Sequence, residues 1–305
     1  MGEAVACTTD QTVLGEGPRW DARRDELLWV DILAGRVYRH RIGNNGDLVP
    51  VDRYQVSGTV GAIAPIEGDH GWLLAAERRF LHLSPDGKVR SLTEDVAAVG
   101  TRMNDAACDP QGRFWAGTKA DRVGGAFLYR FDGDGHTEMV RDGMTISNGL
   151  DWSPDGATMY LADSGTRTIH AFAFEPESGT ISDERILVEV PKTVGAPDGL
   201  TVDAAGDLWV AIWGGWQVRR YSPDGVLRQE LPIPAEQTSA CAFAGAGLHR
   251  LYVTTATEDW SEEQRRSQPG AGLVYRLDTD ATGVPARAFR PNLEWWATAG
   301  VESGG

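Results

Sequence analysis

The sequence predicts an all-β protein, a six-bladed β-propeller whose four-stranded antiparallel blades surround a central channel. Three observations carry that prediction. A short apolar strand with an aromatic residue or Leu at its centre recurs six times, at Trp29, Leu73, Trp115, Tyr160, Trp209 and Tyr252. The intervals between those residues are 44, 42, 45, 49 and 43, the length of one four-stranded blade and too long for an ankyrin or tetratricopeptide unit. Turns of the SPDG or DPQG type at 84–87, 109–112, 153–156 and 222–225 put Pro second and Gly fourth, which is hairpin chemistry. No window carries a sustained helical stripe.

Taken in order, each unit reads as strands. LLWVDI opens the series, and WLLAAE leads to the hairpin LHLSPDGKVR. The third unit, GRFWAGTKADRVGGAFLYRFDGDG, is a strand, a turn, an alternating strand and a Gly/Asp turn. TMYLAD, then GDLWVAIWGGWQVRRYSPDG, then RLYVTT complete the six. Residues 258–270, EDWSEEQRRSQPG, break the pattern and read as an exposed excursion with one helical turn. Because a propeller closes on itself to remove sheet edges, residues 4–14 are the expected closing strand. No linker or composition shift divides the chain, so residues 1–305 are expected to form a single propeller domain.

Composition narrows the function. With 41% hydrophobic residues among 305 there is enough apolar material for a sizeable core. The net charge of −15 disfavours nucleic acid, whose phosphates it would repel. No apolar stretch is long enough to span a membrane, so no membrane partner is expected. The opening MGEAVACTTD lacks a basic start and an apolar run, and the 3 cysteines are widely spaced. A cytoplasmic location is therefore expected. The six histidines follow no repeat phase, and no GxSxG, GxGxxG, Walker or HExxH pattern occurs.

Eleven to thirteen residues before the strand centres, four of the six units carry a side-chain oxygen: Glu16, Asn104, Asn148 and Asp198. Units two and six have Val60 and Ser239 there. Each position begins an apolar segment, the expected innermost strand, and so should face one mouth of the channel. Carboxylate and amide oxygens without Cys or His are ligands for hard divalent cations. Two carboxylates at one mouth repel unless a cation or proton intervenes. Against this, NG and DG pairs are turn formers in any β protein; four at one phase weigh against that simpler account.

The segments GEGPRWD, RMNDAACDPQGRFWAGT, SNGLDWSPDG with YLADS, and APDGLTVDAAGDLWVA resemble, in order, the SMP-30/gluconolactonase/regucalcin family. GAGLVYRLD, near 270–278, is similar to the family's final strand. The resemblance implies a six-bladed propeller with one axial divalent cation, hydrolysing sugar lactones. It implies metal ligands Glu16, Asn148 and Asp198 and substrate contacts Arg102 and Asn104. Calcium is the expected cation, with zinc, manganese, magnesium and iron as alternatives. The sequence departs from the family after AGT: Lys119, Ala120, Asp121 and Arg122 stand where a Met and an acidic pair are usual. Only Asp121 is left to hold substrate there.

Arg102 lies two residues before Asn104, on the same strand face, where it can hold a carbonyl or carboxylate. A surface salt bridge is its plainer role. Asp105 and Asp151 read as supporting groups or as turn caps, with the cap favoured for Asp151. Trp213 and Trp216 can stack on a sugar or pack between blades, and packing is the commoner role. Asp278, Asp280 and Gly283 mimic the start of an EF-hand loop but lack its closing Glu, and read as a hairpin turn. The combined expectation is a metal-dependent lactonase in which Asp198 is both ligand and general base. The rivals are a propeller esterase or organophosphate hydrolase, and a non-catalytic calcium-binding propeller.

Overall fold

The computed structural model describes residues 3–298. Its strands form six four-stranded antiparallel sheets, and the first five blades each run from inner to outer strand in chain order. The innermost strands are Gly15–Asp21, Val60–Pro65, Thr101–Cys108, Ser147–Trp152, Ala196–Val202 and Thr238–Ala244. Each touches the next, and the sixth touches the first, so the ring closes. Gly87, Gly112, Gly156 and Gly225 each donate to the residue three before, closing the four Pro-Gly turns.

The sixth blade has the order Thr238–Ala244, Arg250–Thr255, Tyr275–Asp278 and finally Val5–Ala6, supplied by the chain's beginning. That laddered strand is much shorter than residues 4–14. Beyond it the chain is held by single bonds, Cys7 N to Val274 O at 2.7 Å and Thr12 N to Gly272 O at 2.9 Å.

The periodic aromatics explain the packing. Trp29, Leu73, Trp115, Tyr160, Trp209 and Tyr252 all lie on second strands and are all buried. Buried apolar side chains fall into six clusters, each at one interface between neighbouring blades. Each large buried side chain contributes on the order of 1.5–3 kcal/mol by leaving water, and every blade depends on both neighbours for that burial.

After Asp278 the chain forms no hairpin, contrary to the expectation for Asp278–Gly283. It crosses the far end of the channel instead. Gly283 bridges Asp203, Arg287 reaches Asp151 at 3.4 Å, and Phe289 bridges Ile66. The strap ends in the helix Leu293–Thr298, anchored by buried Trp296. No helix among the described residues is long and apolar enough to cross a membrane.

Candidate functional site

All six inner strands break register at one phase: Glu16/Arg19, Val60/Ala62, Met103/Ala106, Ser147/Leu150, Pro197/Leu200 and Thr238/Ala240. A bulge re-aims the side chain it carries; Asn104, Asn148, Asp198 and Ser239 lie inside the break, and Glu16 and Val60 stand at its leading edge. The NG and DG pairs are therefore strand bulges, not turns. Their glycines serve close approach. A Cβ on Gly149 would lie 2.3 Å from the Leu200 nitrogen, and one on Gly199 would lie 2.3 Å from the Ala240 Cβ.

Glu16, Asn148 and Asp198 line one cavity of about 90 Å³, together with Arg102 and Asn104. The four ring oxygens are not equivalent. Asn104 Oδ1 accepts from Arg102 Nη1 at 2.6 Å, and its Nδ2 donates to Ser147 O at 3.0 Å. Its oxygen is thus already engaged. Asn148 Nδ2 donates to Ser164 Oγ at 3.0 Å, and Ser164 donates onward to Pro197 O at 2.7 Å. This leaves Asn148 Oδ1 buried with no donor, and Asp198 Oδ1 is in the same condition. Glu16 Oε2 accepts from Gly17 N at 3.0 Å. Ser239, the sixth-blade equivalent, is satisfied by Gly15 O and Thr254.

Charge sharpens the picture. Burial, and then the charge of Asp105, pushes the Glu16 carboxyl up to about 8. Burial, then Glu16 and Asp105, raises Asp198 well above the carboxylate range, with Lys119 opposing. Burial also lowers Arg102 from its ordinary value, against the pull of Glu258, Glu16 and Asp198. Two buried carboxylates and two orphaned acceptors facing one cavity fit a hard cation. Among the described residues no three His, Cys, Asp or Glu groups form a metal cluster; the set here is two carboxylates and an amide.

Asp105, beside the ring, is buried and accepts from Ala106 N at 2.7 Å, with Arg19 at 3.8 Å. Asp151 lies toward the other end and accepts from Val202 N at 2.9 Å. Asp121 does not join the site: it is exposed in the turn after its strand, beside exposed Arg122, and does not line the cavity. A contact from it to a substrate in this cavity is not what its position offers.

The cavity has further walls, of which the sequence reading weighed only Trp213 as a surface for substrate. Lys119, Ser164, Trp213 and Glu258 all line it. A signal was present for three of them: each stands four residues after its strand centre, Trp115, Tyr160 and Trp209. That is where the second strand exits beside the ring. Trp213, expected to pack between blades, lies against the core between blades one and two and also lines the cavity. Glu258 opens the segment read as an exposed excursion, yet its side chain is only 17% exposed.

The chain matches known proteins over most of its length. The SMP-30/Gluconolactonase/LRE-like region matches residues 14–257. The pentonolactonase XacC of Haloferax volcanii is 36% identical over 89% of this chain and 93% of its own length. The 6-deoxy-6-sulfogluconolactonase of Pseudomonas putida is 33% identical over 95% of this chain and 99% of its own. The crystal structure of a calcium-binding protein, regucalcin, from Agrobacterium tumefaciens superposes with a TM-score of 0.87 at 25% identity, covering 95% of this chain and 97% of that one. The chain belongs to the SMP-30/gluconolactonase/LRE-like family.

Proposed function

We propose that this protein hydrolyses a sugar lactone to the open acid, with a divalent cation held by Glu16, Asn148 and Asp198. The observation that carries the reading is the pair of orphaned buried acceptors, Asn148 Oδ1 and Asp198 Oδ1, at the cavity that Glu16 also faces. The all-oxygen donor set and the calcium-binding relative favour calcium. When bound, such a cation supplies Lewis-acid polarisation of the ring carbonyl.

The chain's own residues supply the rest. Asp198, whose burial favours holding a proton, accepts one from the attacking water as general base. Asn104, locked between Arg102 and Ser147, presents a fixed edge to the ester. Arg102 Nη1 already donates to Asn104 and to Met103 O at 3.0 Å; its remaining N–H groups orient the carbonyl and then the product carboxylate. Trp213 excludes water on one side. The test is a panel of pentono- and hexonolactones assayed with calcium, zinc, manganese and magnesium in turn. Cation-dependent opening of at least one lactone is expected. Failure of every lactone with every cation would sink the reading.

A further inference from the structure

We propose that Lys119 and Glu258 form a hydroxyl-recognising pair that makes the cavity select polyhydroxylated lactones, with Gln237 as the residue that positions it. The inference builds on the lactonase reading and names the substrate feature that the site reads. Lys119 comes from the third blade and Glu258 from the loop after the second strand of the sixth, so they meet across the cavity. Their charged atoms are 3.5 Å apart, looser than the 2.7–2.9 Å of a tight charged bond. A lysine has three N–H groups and a carboxylate about four acceptor sites, and this contact engages one of each. What remains is a donor and an acceptor side by side, the complement of neighbouring hydroxyls on a ring edge.

Glu258 is held in place rather than left loose. Its backbone N–H donates to Gln237 Oε1 at 2.7 Å, and Gln237 Nε2 donates back to Glu258 O at 3.0 Å. Gln237 is 9% exposed, and its own carbonyl accepts from Ala256 N at 2.9 Å. One residue earlier, Thr257 N donates to Val13 O at 2.9 Å, and Arg265 reaches back from the helix Glu262–Ser267 to bind Thr257 Oγ1 at 2.6 Å and its carbonyl at 3.0 Å. The excursion thus folds on itself to fix one carboxylate over the cavity, the preorganisation that recognition requires. Trp213 offers a flat apolar wall for the C–H face of the same ring.

A site built to bond hydroxyls penalises analogues that lack them, because its buried polar groups are then unpaired. The measurement is the ratio of kcat/KM for glucono-δ-lactone over δ-valerolactone, with cation saturating, alongside Tm for each variant. In Glu258→Ala and Lys119→Met the ratio is expected to fall about 10- to 100-fold. Glu258→Gln, which keeps the volume, should fall in the same direction should Glu258→Ala fold poorly. Gln237→Leu should lower the ratio although Glu258 is intact, a readout that a purely structural role does not move. Ratios within about twofold of wild type in both Glu258→Gln and Lys119→Met would overturn the proposal while leaving the lactonase reading standing. Wild type opening neither of these lactones nor any of the pentono- and hexonolactone panel would overturn both.

Discussion

The two ends of the channel treat their acidic side chains in opposite ways. At the strapped end, Asp203 and Asp109 are surrounded by donors, and Asp207, though its Oδ1 has none, holds Arg220 through Oδ2 at 2.8 Å. Asp203 accepts from the backbone N–H groups of Ala205 and Asp207, each at 2.9 Å, from Trp209 Nε1 at 2.9 Å and from Arg220 at 3.1 Å. Asp109 repeats the arrangement with Gln111 N, Arg113 and Trp115 Nε1. At the open mouth, Asp198 and Asn148 keep buried acceptors without donors, and Glu16 is raised to about 8. Both ends are buried and both are built on the same inner strands. A buried polar group is ordinarily satisfied, so burial alone does not mark a site here. Two donor-deficient acceptors that face one cavity do.

The largest expected effect tests the satisfied end. Asp203→Ala leaves Trp209 Nε1, two backbone N–H groups and Arg220 Nη2 without this acceptor. Breaking a buried charged network of this kind costs about 3–5 kcal/mol. The denaturant midpoint should fall accordingly, while the lactone turnover of the molecules still folded stays within about twofold. A variant with wild-type stability and lost turnover would dissolve the contrast between the ends.

The next tests the mouth. Asp198→Asn keeps the size and an oxygen but removes charge and basicity. Lactone hydrolysis is expected to fall at least about 100-fold, and the loss should persist at saturating cation. Stability should not fall, because no donor loses a partner. Complete rescue by added cation would make Asp198 a ligand without a proton-transfer role.

That contrast also separates what the sequence discloses from what it hides. The blade count and the strand centres were legible because each blade repeats one burial problem, and Trp29 through Tyr252 solve it with large side chains at one phase. The ring at Glu16, Asn104, Asn148 and Asp198 was legible for the same reason. The repeat phase could not separate Asn104 from Asn148; the family resemblance gave them different roles, and the placement of Arg102 and Ser164 shows which oxygen is engaged. Glu258 was hidden because it lies two residues past the repeat phase shared by Lys119, Ser164 and Trp213, inside a stretch that looks solvated. The strap over the far end was hidden because its bonds, such as Gly283 to Asp203, join segments with no shared pattern.

The smallest expected effect is a pH dependence of stability that belongs to the mouth. In the folded, cation-free protein Glu16 holds its proton up to about 8, whereas an unfolded glutamate releases it near 4.5. Between those values the folded state binds more protons than the unfolded state, so stability falls as pH rises. Asp198, also raised, acts with the same sign. Buried His40 opposes them: desolvation lowers it from 6.5 to about 4, and its contribution grows with pH up to 6.5. The window that isolates the mouth is therefore pH 6.5 to 8. Across it the Tm of chelator-treated protein should decline by a few degrees, roughly the scale of 1 kcal/mol for a chain of this size. Glu16→Gln, neutral at every pH, should flatten the decline. Added calcium should reverse its sign, because the cation binds the deprotonated carboxylates and its affinity rises with pH. A decline of equal slope in Glu16→Gln would mean that Glu16 does not titrate there, and one that calcium leaves unaltered would mean that neither mouth carboxylate does.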